Sequence, residues 1–232
     1  MKRALLCLLA GALTASVARA DTVLSGALTA DNQFNAYLST SPTTIGTLIA
    51  GNLSEPVDLS VEYWATALPI TAQTLSPGTT YYLQIVAVNW PDPGAGYGEN
   101  PGAILGSFYL SNADFEFANG AQTLNTNTTI WTYSYNSFGY AALTPSSEGA
   151  NGVGPWGTIA GIDAGAEWIW DSNFYYPFTA SDPTDPVPSN GGDGDLFFET
   201  EIIPTPEPVS LALLGTGLLA LGGMAARRRR RA

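Results

Sequence analysis

The chain has 232 residues, 45% of them hydrophobic, which is enough apolar material for one domain with its own core. Residues 21–208 contain all 20 acidic residues and no Lys, Arg or His, so this stretch cannot pair with nucleic-acid phosphates or use an imidazole or amine as a general base. The only cysteine is Cys7, which excludes an intramolecular disulfide and leaves no Cys or His ligands for zinc in that stretch.

Residues 1–20 have the pattern of a cleavable signal peptide. Lys2 and Arg3 form a basic start, residues 4–17 are apolar, and Ala18 and Ala20 supply the small residues of a cleavage site. A buried N-terminal helix is the alternative, but it does not account for these three signals in this order. We therefore expect export through the Sec machinery.

Residues 21–203 show the signals of a β domain. Residues 79–88 form a β-branched and aromatic run after the turn at 76–78, and residues 59–64 alternate between apolar and polar side chains. Further strands are predicted at 104–110, 115–117, 129–135, 167–170 and 196–203. Many short strands punctuated by Gly, Pro, Asn and Asp favour an all-β fold, a single antiparallel β-sandwich of the jelly-roll type.

Two tryptophans are candidates for carbohydrate binding, because indole rings stack on the apolar faces of sugars. Trp90 lies in a Pro- and Asp-containing loop, where a core role is less natural, and Trp64 is the second candidate. In contrast, Trp168 and Trp170 are two residues apart in a predicted strand, so we expect them to share one face and to be buried.

An acidic, Pro- and Gly-rich loop spans residues 182–195. The candidate ligands for Ca²⁺ are Asp182, Asp185, Asp193 and Asp195, since Ca²⁺ takes several oxygen ligands from such loops. The alternatives are a solvated surface loop and an ion bound elsewhere, near Asp31 or Asp163, and we expect no other cofactor. A carboxylate pair is the only catalytic arrangement open to this composition, but twenty acids produce close pairs by chance, so we predict no enzyme, with a secreted glycosidase as a minor alternative.

The C-terminal segment predicts a membrane anchor. Residues 204–208 are a Pro-rich linker that ends in Pro206, Glu207 and Pro208. Residues 209–226 are uncharged, and as a helix they reach roughly 27 Å, about the thickness of a bilayer core. Residues 227–232 form a basic tail expected to stay cytoplasmic, with a membrane-stop cluster of Arg227, Arg228, Arg229, Arg230 and Arg231.

This order of motif, apolar helix and terminal arginine cluster resembles the PEP-CTERM sorting tail. The resemblance covers about the last 27 residues. It implies processing at Pro206-Glu207-Pro208 by an exosortase-type sorting enzyme in a Gram-negative bacterium that produces exopolysaccharide. It also implies an inner-membrane intermediate and then a place at the cell surface or in the extracellular matrix.

The middle region is similar to galactose-binding-like jelly rolls, including the accessory domains of bacterial α-L-rhamnosidases. The motifs that carry this resemblance include residues 75–78 before a long strand, 152–157, 166–170 and the pair Phe197-Phe198. The last two usually come first in that family, which predicts a circularly permuted strand order. The resemblance implies a non-catalytic protein that binds polysaccharide, and the alternative is a structural or adhesive matrix component without a ligand pocket.

Overall fold

The computed structural model of the chain describes residues 20–56, 58, 62–90, 101–171 and 195–205. Residues Asp21–Pro204 form one compact unit. The predicted signal peptide up to residue 19, the Pro-Glu-Pro motif, the apolar segment 209–226 and the arginine cluster lie outside the described residues. Within the ranges described, no helix has the length and apolar character needed to cross a bilayer.

The strands form two antiparallel sheets. In the described residues the first sheet consists of β1 (Thr22–Asp31), β4 (Leu68–Pro69), β5 (Gln73–Leu75), β7 (Ala103–Leu110), β9 (Thr123–Asn125), β11 (Ser146–Ala150) and β12 (Glu167–Trp170). The second sheet consists of β2 (Gln33–Ser39), β3 (Thr47–Gly51), β6 (Tyr81–Val88), β8 (Phe115–Phe117), β10 (Thr132–Ser134) and β13 (Asp195–Pro204). Consecutive strands often change sheet, as at the step from β1 to β2.

The order of strands places the longest ones in the centre of each sheet. The first sheet runs β11-β12-β7-β1-β4, with β5 also paired to β1 and β9 to β7. The second runs β10-β13-β6-β2-β3, with β8 also paired to β13. Because β6 and β2 are both central in the second sheet, any site at their ends rests on a rigid scaffold.

One hydrophobic core joins the two sheets into a β-sandwich. Strand β13 shows the period of two clearly: Leu196, Phe198 and Ile202 are buried in the core, whereas Phe197 and Glu199 point outward and are half-exposed. The first sheet contributes residues such as Leu24 and Phe108 to the same cluster, so apolar burial between the sheets holds the fold together.

A second, smaller apolar cluster covers the outer face of the first sheet. The segment between β11 and β12 folds back so that Trp156 stacks on Trp168, with ring centroids 4.5 Å apart and planes 24° apart. Asn151 holds this segment in place, because its Oδ1 accepts from the Ile159 N–H (2.8 Å) and its Nδ2 donates to the Ile162 carbonyl (2.9 Å). We call residues 151–166 the covering segment.

The structure confirms most of the predicted strands, with β6, β7, β8, β12 and β13 close to their expected bounds. The strand expected at 129–135 is shorter, covering Thr132–Ser134. The strand predicted at 59–64 is wrong at its end, because Tyr63–Ala65 form a 3-10 helix. Residues 59–61 are outside the described ranges.

The expected burial of Trp168 and Trp170 is confirmed, but their shared face is wrong. Trp168 belongs to the outer cluster with Trp156, whereas Trp170 packs in the central core at 5.6 Å from Phe198. Trp170 is the last residue of its strand, where the alternation of the pleat no longer fixes the direction of the side chain.

Candidate functional site

Trp90 lies two residues after the end of the central strand β6, and two hydrogen bonds hold it in place. Its backbone N–H donates to Asn32 Oδ1 (2.6 Å), and its indole Nε1 donates to Gln33 Oε1 (2.8 Å). The side chain is half-buried. The indole N–H is therefore committed to the fold, and a sugar at this residue has only the face of the ring to contact.

These bonds belong to a larger group of polar side chains at the turn from β1 to β2. Asn32 Nδ2 donates to Asp31 Oδ1 (2.9 Å), Trp156 Nε1 donates to Asp31 Oδ2 (2.8 Å), and Gln33 Nε2 donates to the Asn52 carbonyl (3.1 Å). Asp31 is 7% exposed and Gln33 is fully buried. We call this group the Asp31 network. It ties the first sheet, the second sheet and the covering segment together.

Asp31 is a buried carboxylate, and no basic side chain lies among the residues that the structure describes. Burial raises the pKa of Asp31 from 3.8 to about 6, and the hydrogen bond from Trp156 opposes this rise. The sequence supplies no Lys, Arg or His between residues 21 and 208, and in the described residues neutral N–H donors of Asn32 and Trp156 stabilise the carboxylate. Both carboxylate oxygens already accept such a bond. The Asp31 network therefore connects parts of the fold and is not an open site, and we call it the joint.

The other sequence candidates lie apart from one another. Trp64 sits in the 3-10 helix, half-buried against the outer cluster, and its carbonyl accepts from Thr29 Oγ1 (2.9 Å). Asp195 begins β13 opposite Val88, while Asp182, Asp185 and Asp193 are outside the described residues. Among the residues that the structure describes, no three acidic side chains come together as a metal site would require.

A cleft of about 560 Å³ opens at the opposite end of the sandwich from the Asp31 network. The hairpin between β2 and β3 forms one wall, and the starts of β5 and β6 form the other. None of its lining residues is charged, and most carry a hydroxyl or amide group. They are Leu38, Ser39, Thr40, Ser41, Thr44, Ile45, Gly46, Thr47, Gln73, Thr74 and Tyr81.

Several polar groups of this cleft have no hydrogen-bond partner among the described residues. The hydroxyls of Thr40, Thr44, Thr47 and Thr74 make no hydrogen bond to any other residue in the described part of the chain, and all four residues are exposed. Each hydroxyl can donate one hydrogen bond and accept two. The cleft therefore presents an array of uncommitted neutral groups to a ligand.

The walls of the cleft are nevertheless held in position. Tyr81 OH accepts from the Ser76 N–H (2.9 Å), and its ring lies 6.2 Å from that of Phe115. On the other wall, Ser39 Oγ donates to the Thr44 carbonyl (2.7 Å), and Gln84 Nε2 donates to the Ser41 carbonyl (3.1 Å). The shape of the cleft is thus set before any ligand arrives.

Sequence reasoning missed this cleft. A signal was present in residues 39–47, where six of nine residues are Ser or Thr, namely Ser39, Thr40, Ser41, Thr43, Thr44 and Thr47. Such a run is typical of loops, and nothing in it shows that residues 73–81 fold against it.

A pair of carboxylates also escaped prediction. Glu148 lies at a bulge in the edge strand β11, and burial together with the nearby Asp171 raises its pKa to about 7. Tyr135 OH donates to Asp171 Oδ2 (3.1 Å). Neither acid lines the cleft, so the arrangement gives no support to a glycosidase there.

Comparisons of the chain with protein-family models, with curated proteins and with solved structures found no match. The resemblances to PEP-CTERM tails and to galactose-binding-like jelly rolls accordingly rest on their sequence motifs.

Proposed function

We propose that this chain is an exported surface or matrix protein whose β-sandwich, of the jelly-roll type, binds uncharged polysaccharide in the cleft. The observation that carries this proposal is the chemistry of the lining: all eleven residues are uncharged in a domain that is otherwise strongly acidic. Uncommitted threonine hydroxyls suit the hydroxyls of a neutral sugar, and Tyr81 and Ile45 offer apolar surface to its ring.

The charge of the domain sets the sign of its selectivity. All 20 acidic residues lie in residues 21–208 without one basic residue, so uronate, sulfate or phosphate groups would meet repulsion within a Debye length of roughly 8–10 Å. Neutral chains meet no such barrier. Bridging by Ca²⁺ would reverse the preference, which makes a chelator an essential control.

The terminal segments support delivery of this domain to the outside of the cell. The signal-peptide pattern supports Sec export, and the Pro206-Glu207-Pro208 motif with its apolar and arginine segments supports membrane anchoring and recognition by an exosortase-type enzyme. Intact-mass measurement of surface-extracted protein tests this part. Loss of residues 1–20 and of Arg227–Arg231 is expected, whereas a mature species that retains the arginines contradicts C-terminal processing.

Binding is tested with the mature protein on a panel of neutral and uronate-containing polysaccharides, each with and without EDTA. Neutral chains should bind and uronate chains should not bind in EDTA. Thr74→Val removes one uncommitted hydroxyl of the cleft, while Thr123→Val makes the same change at an exposed residue of β9 outside it. Only the first variant should weaken binding. If no neutral chain binds, the structural or adhesive alternative becomes the better account.

A further inference from the structure

Gln84 is a fully buried amide on the outward side of the central strand β6. It pairs with Tyr37 of β2 on one side and with Glu199 of β13 on the other. Its Nε2 donates to Glu199 Oε2 (2.9 Å) and to the Ser41 carbonyl (3.1 Å). Its Oε1 is buried without a hydrogen-bond partner in the described residues.

An unpaired buried oxygen costs free energy, so something must hold the amide in this orientation. Both groups that Nε2 contacts are acceptors, namely the Ser41 carbonyl and the ionised Glu199 carboxylate. A flipped amide would place Oε1 against these two acceptors and lose both bonds. The charge of Glu199 therefore contributes to fixing which way Gln84 points.

The same amide supports a wall of the cleft. Ser41 is one of the lining residues, and its carbonyl accepts the hydrogen bond from Gln84 Nε2. Ser39 Oγ accepts from the Ser41 N–H (3.1 Å) and donates to the Thr44 carbonyl, so the hairpin segment 40–46 is fastened at few points. Besides these bonds from Ser39 of β2, the bond from Gln84 fastens the segment to β6 of the same sheet.

We propose that Gln84 positions the hairpin wall of the cleft, and that ionised Glu199 keeps Gln84 in this role. When Glu199 takes up a proton, its oxygen still accepts from Gln84 Nε2, but the bond loses the strength that the negative charge gives it. Gln84 is then held less firmly against the Ser41 carbonyl. Segment 40–46 then loosens, and binding in the cleft weakens. The effect on binding rests on the proposed function, whereas the loosening does not.

The surroundings of Glu199 favour proton uptake. Burial raises its pKa, the hydrogen bond from Gln84 lowers it, and the neighbouring Glu201 on β13 raises it. The other titratable side chains on this face of the neighbouring strands β6 and β2 are Tyr82 and Tyr37, while Thr132 on β10 contributes a hydroxyl bonded to the Glu199 carbonyl. Residues 41–43, in the hairpin between β2 and β3, carry no charge. Mild acid is therefore the condition to examine.

The first test is a pH titration of the ligand-free mature protein by ¹H–¹⁵N NMR. The Gln84 side-chain NH₂ and the backbone amides of Ser41, Thr43 and Thr44 should shift together with one midpoint. Glu199→Gln should abolish this shared titration, because a neutral amide oxygen accepts from Gln84 at every pH. Glu201→Gln is the matched control, and it should keep the titration with a lower midpoint. A shared titration that survives Glu199→Gln overturns the proposal.

The second test measures binding of a neutral polysaccharide from the panel above as a function of pH. Affinity should fall roughly fivefold on acidification, which corresponds to the loss of about one hydrogen bond. In Glu199→Gln the affinity should not change with pH. If the NMR titration is present but no neutral polysaccharide binds at any pH, the positioning role holds and the proposed function fails. If binding occurs with a flat pH profile and no titration of residues 41–44, the positioning role fails and the proposed function holds.

Discussion

The two ends of strands β2 and β6 differ in how their polar groups are used. At one end, the Asp31 carboxylate accepts from the Asn32 amide and the Trp156 indole, and the amides of Asn32 and Gln33 accept from Trp90. At the other end, roughly 25 Å away along the strands, the cleft has threonine hydroxyls that make no hydrogen bond to another described residue. The aromatic-rich end thus serves as a joint of the fold, and the hydroxyl-rich end is the one open to a ligand.

This difference follows from where burial occurs. A buried polar group must be paired inside the protein, because an unmet hydrogen bond there costs about 1–3 kcal/mol. An exposed hydroxyl pays no such penalty, since water is its partner until a ligand replaces it. Mutations at the joint should therefore change stability, and mutations in the cleft should change binding.

The largest effect is expected for Trp156→Ala. Trp156 is 3% exposed, stacks on Trp168 and donates to Asp31. Its removal should lower the free energy of unfolding by about 3–5 kcal/mol, the usual cost of truncating a buried tryptophan. Urea unfolding monitored by circular dichroism measures this. Tyr140→Ala, at a residue that is 58% exposed, is the control and should change stability by less than about 0.5 kcal/mol.

Trp156→Phe separates packing from hydrogen bonding at the same position. The phenyl ring retains most of the contact with Trp168 but has no N–H for Asp31. A loss of about 1.5–3 kcal/mol is expected, in the range of a hydrogen bond to a charged group. If Trp156→Phe is as stable as the wild type, the bond to Asp31 does not stabilise the joint.

The second prediction concerns the pH dependence of stability. The folded pKa of Asp31 is about 6, above its ordinary value of 3.8, so folding favours the protonated form. Its contribution is fully present below about pH 4 and is lost as the pH rises through 6. A rise in pKa from 3.8 to about 6 corresponds to about 3 kcal/mol.

Asp31→Asn should remove this part of the pH dependence. The free energy of unfolding of the wild type, measured in urea at pH 4, 5, 6 and 7.5, should fall relative to that of the variant by up to about 3 kcal/mol across the series. Asp21→Asn removes one negative charge at an exposed residue and controls for net charge. Parallel profiles for wild type and Asp31→Asn would show that Asp31 has no raised pKa in the folded protein.

The third prediction tests whether Trp90 belongs to the joint. Trp90→Ala leaves the Oε1 of the fully buried Gln33 without its indole donor, which should cost about 1–3 kcal/mol. Trp90→Phe should be destabilised similarly while keeping a ring face. If Trp90→Ala weakens polysaccharide binding with unchanged stability, Trp90 is a ligand contact and the contrast between the two ends fails.

Much of the fold was predictable because its strongest strands carry local patterns. The alternation in β13 and the Glu-Trp-Ile-Trp run of β12 gave bounds within one or two residues of those observed. Strand β1, with Gly26, Ala27 and several Ser and Thr residues, lacks such a pattern, because both of its faces are partly buried and neither shows a polar period. Its place in the centre of the first sheet depends on long-range pairing with β7.

The candidate site was less predictable, because its parts are distant in sequence. Trp90 looked like a ligand residue from its loop context alone, and its bonds to Asn32 and Gln33 join residues 58 and 57 positions apart. The cleft likewise requires residues 39–47 to face Thr74 and Tyr81. Local composition shows that these segments are polar, but it does not show which of their polar groups remain unpaired after folding.

The smallest effect on stability is expected in the cleft, and it is the most informative one. Thr47 and Thr74 are exposed, line the cleft and make no side-chain hydrogen bond to other described residues. The double variant Thr47→Val, Thr74→Val should therefore change the free energy of unfolding by less than about 0.5 kcal/mol. Each lost hydroxyl removes a hydrogen bond to a bound sugar, worth about 1 kcal/mol, so affinity for a neutral polysaccharide should fall roughly 30-fold if both contribute. Isothermal titration calorimetry and urea unfolding on the same preparations measure the two quantities together. A variant that loses stability shows that these hydroxyls serve the fold, and one that keeps both stability and affinity shows that the ligand binds elsewhere.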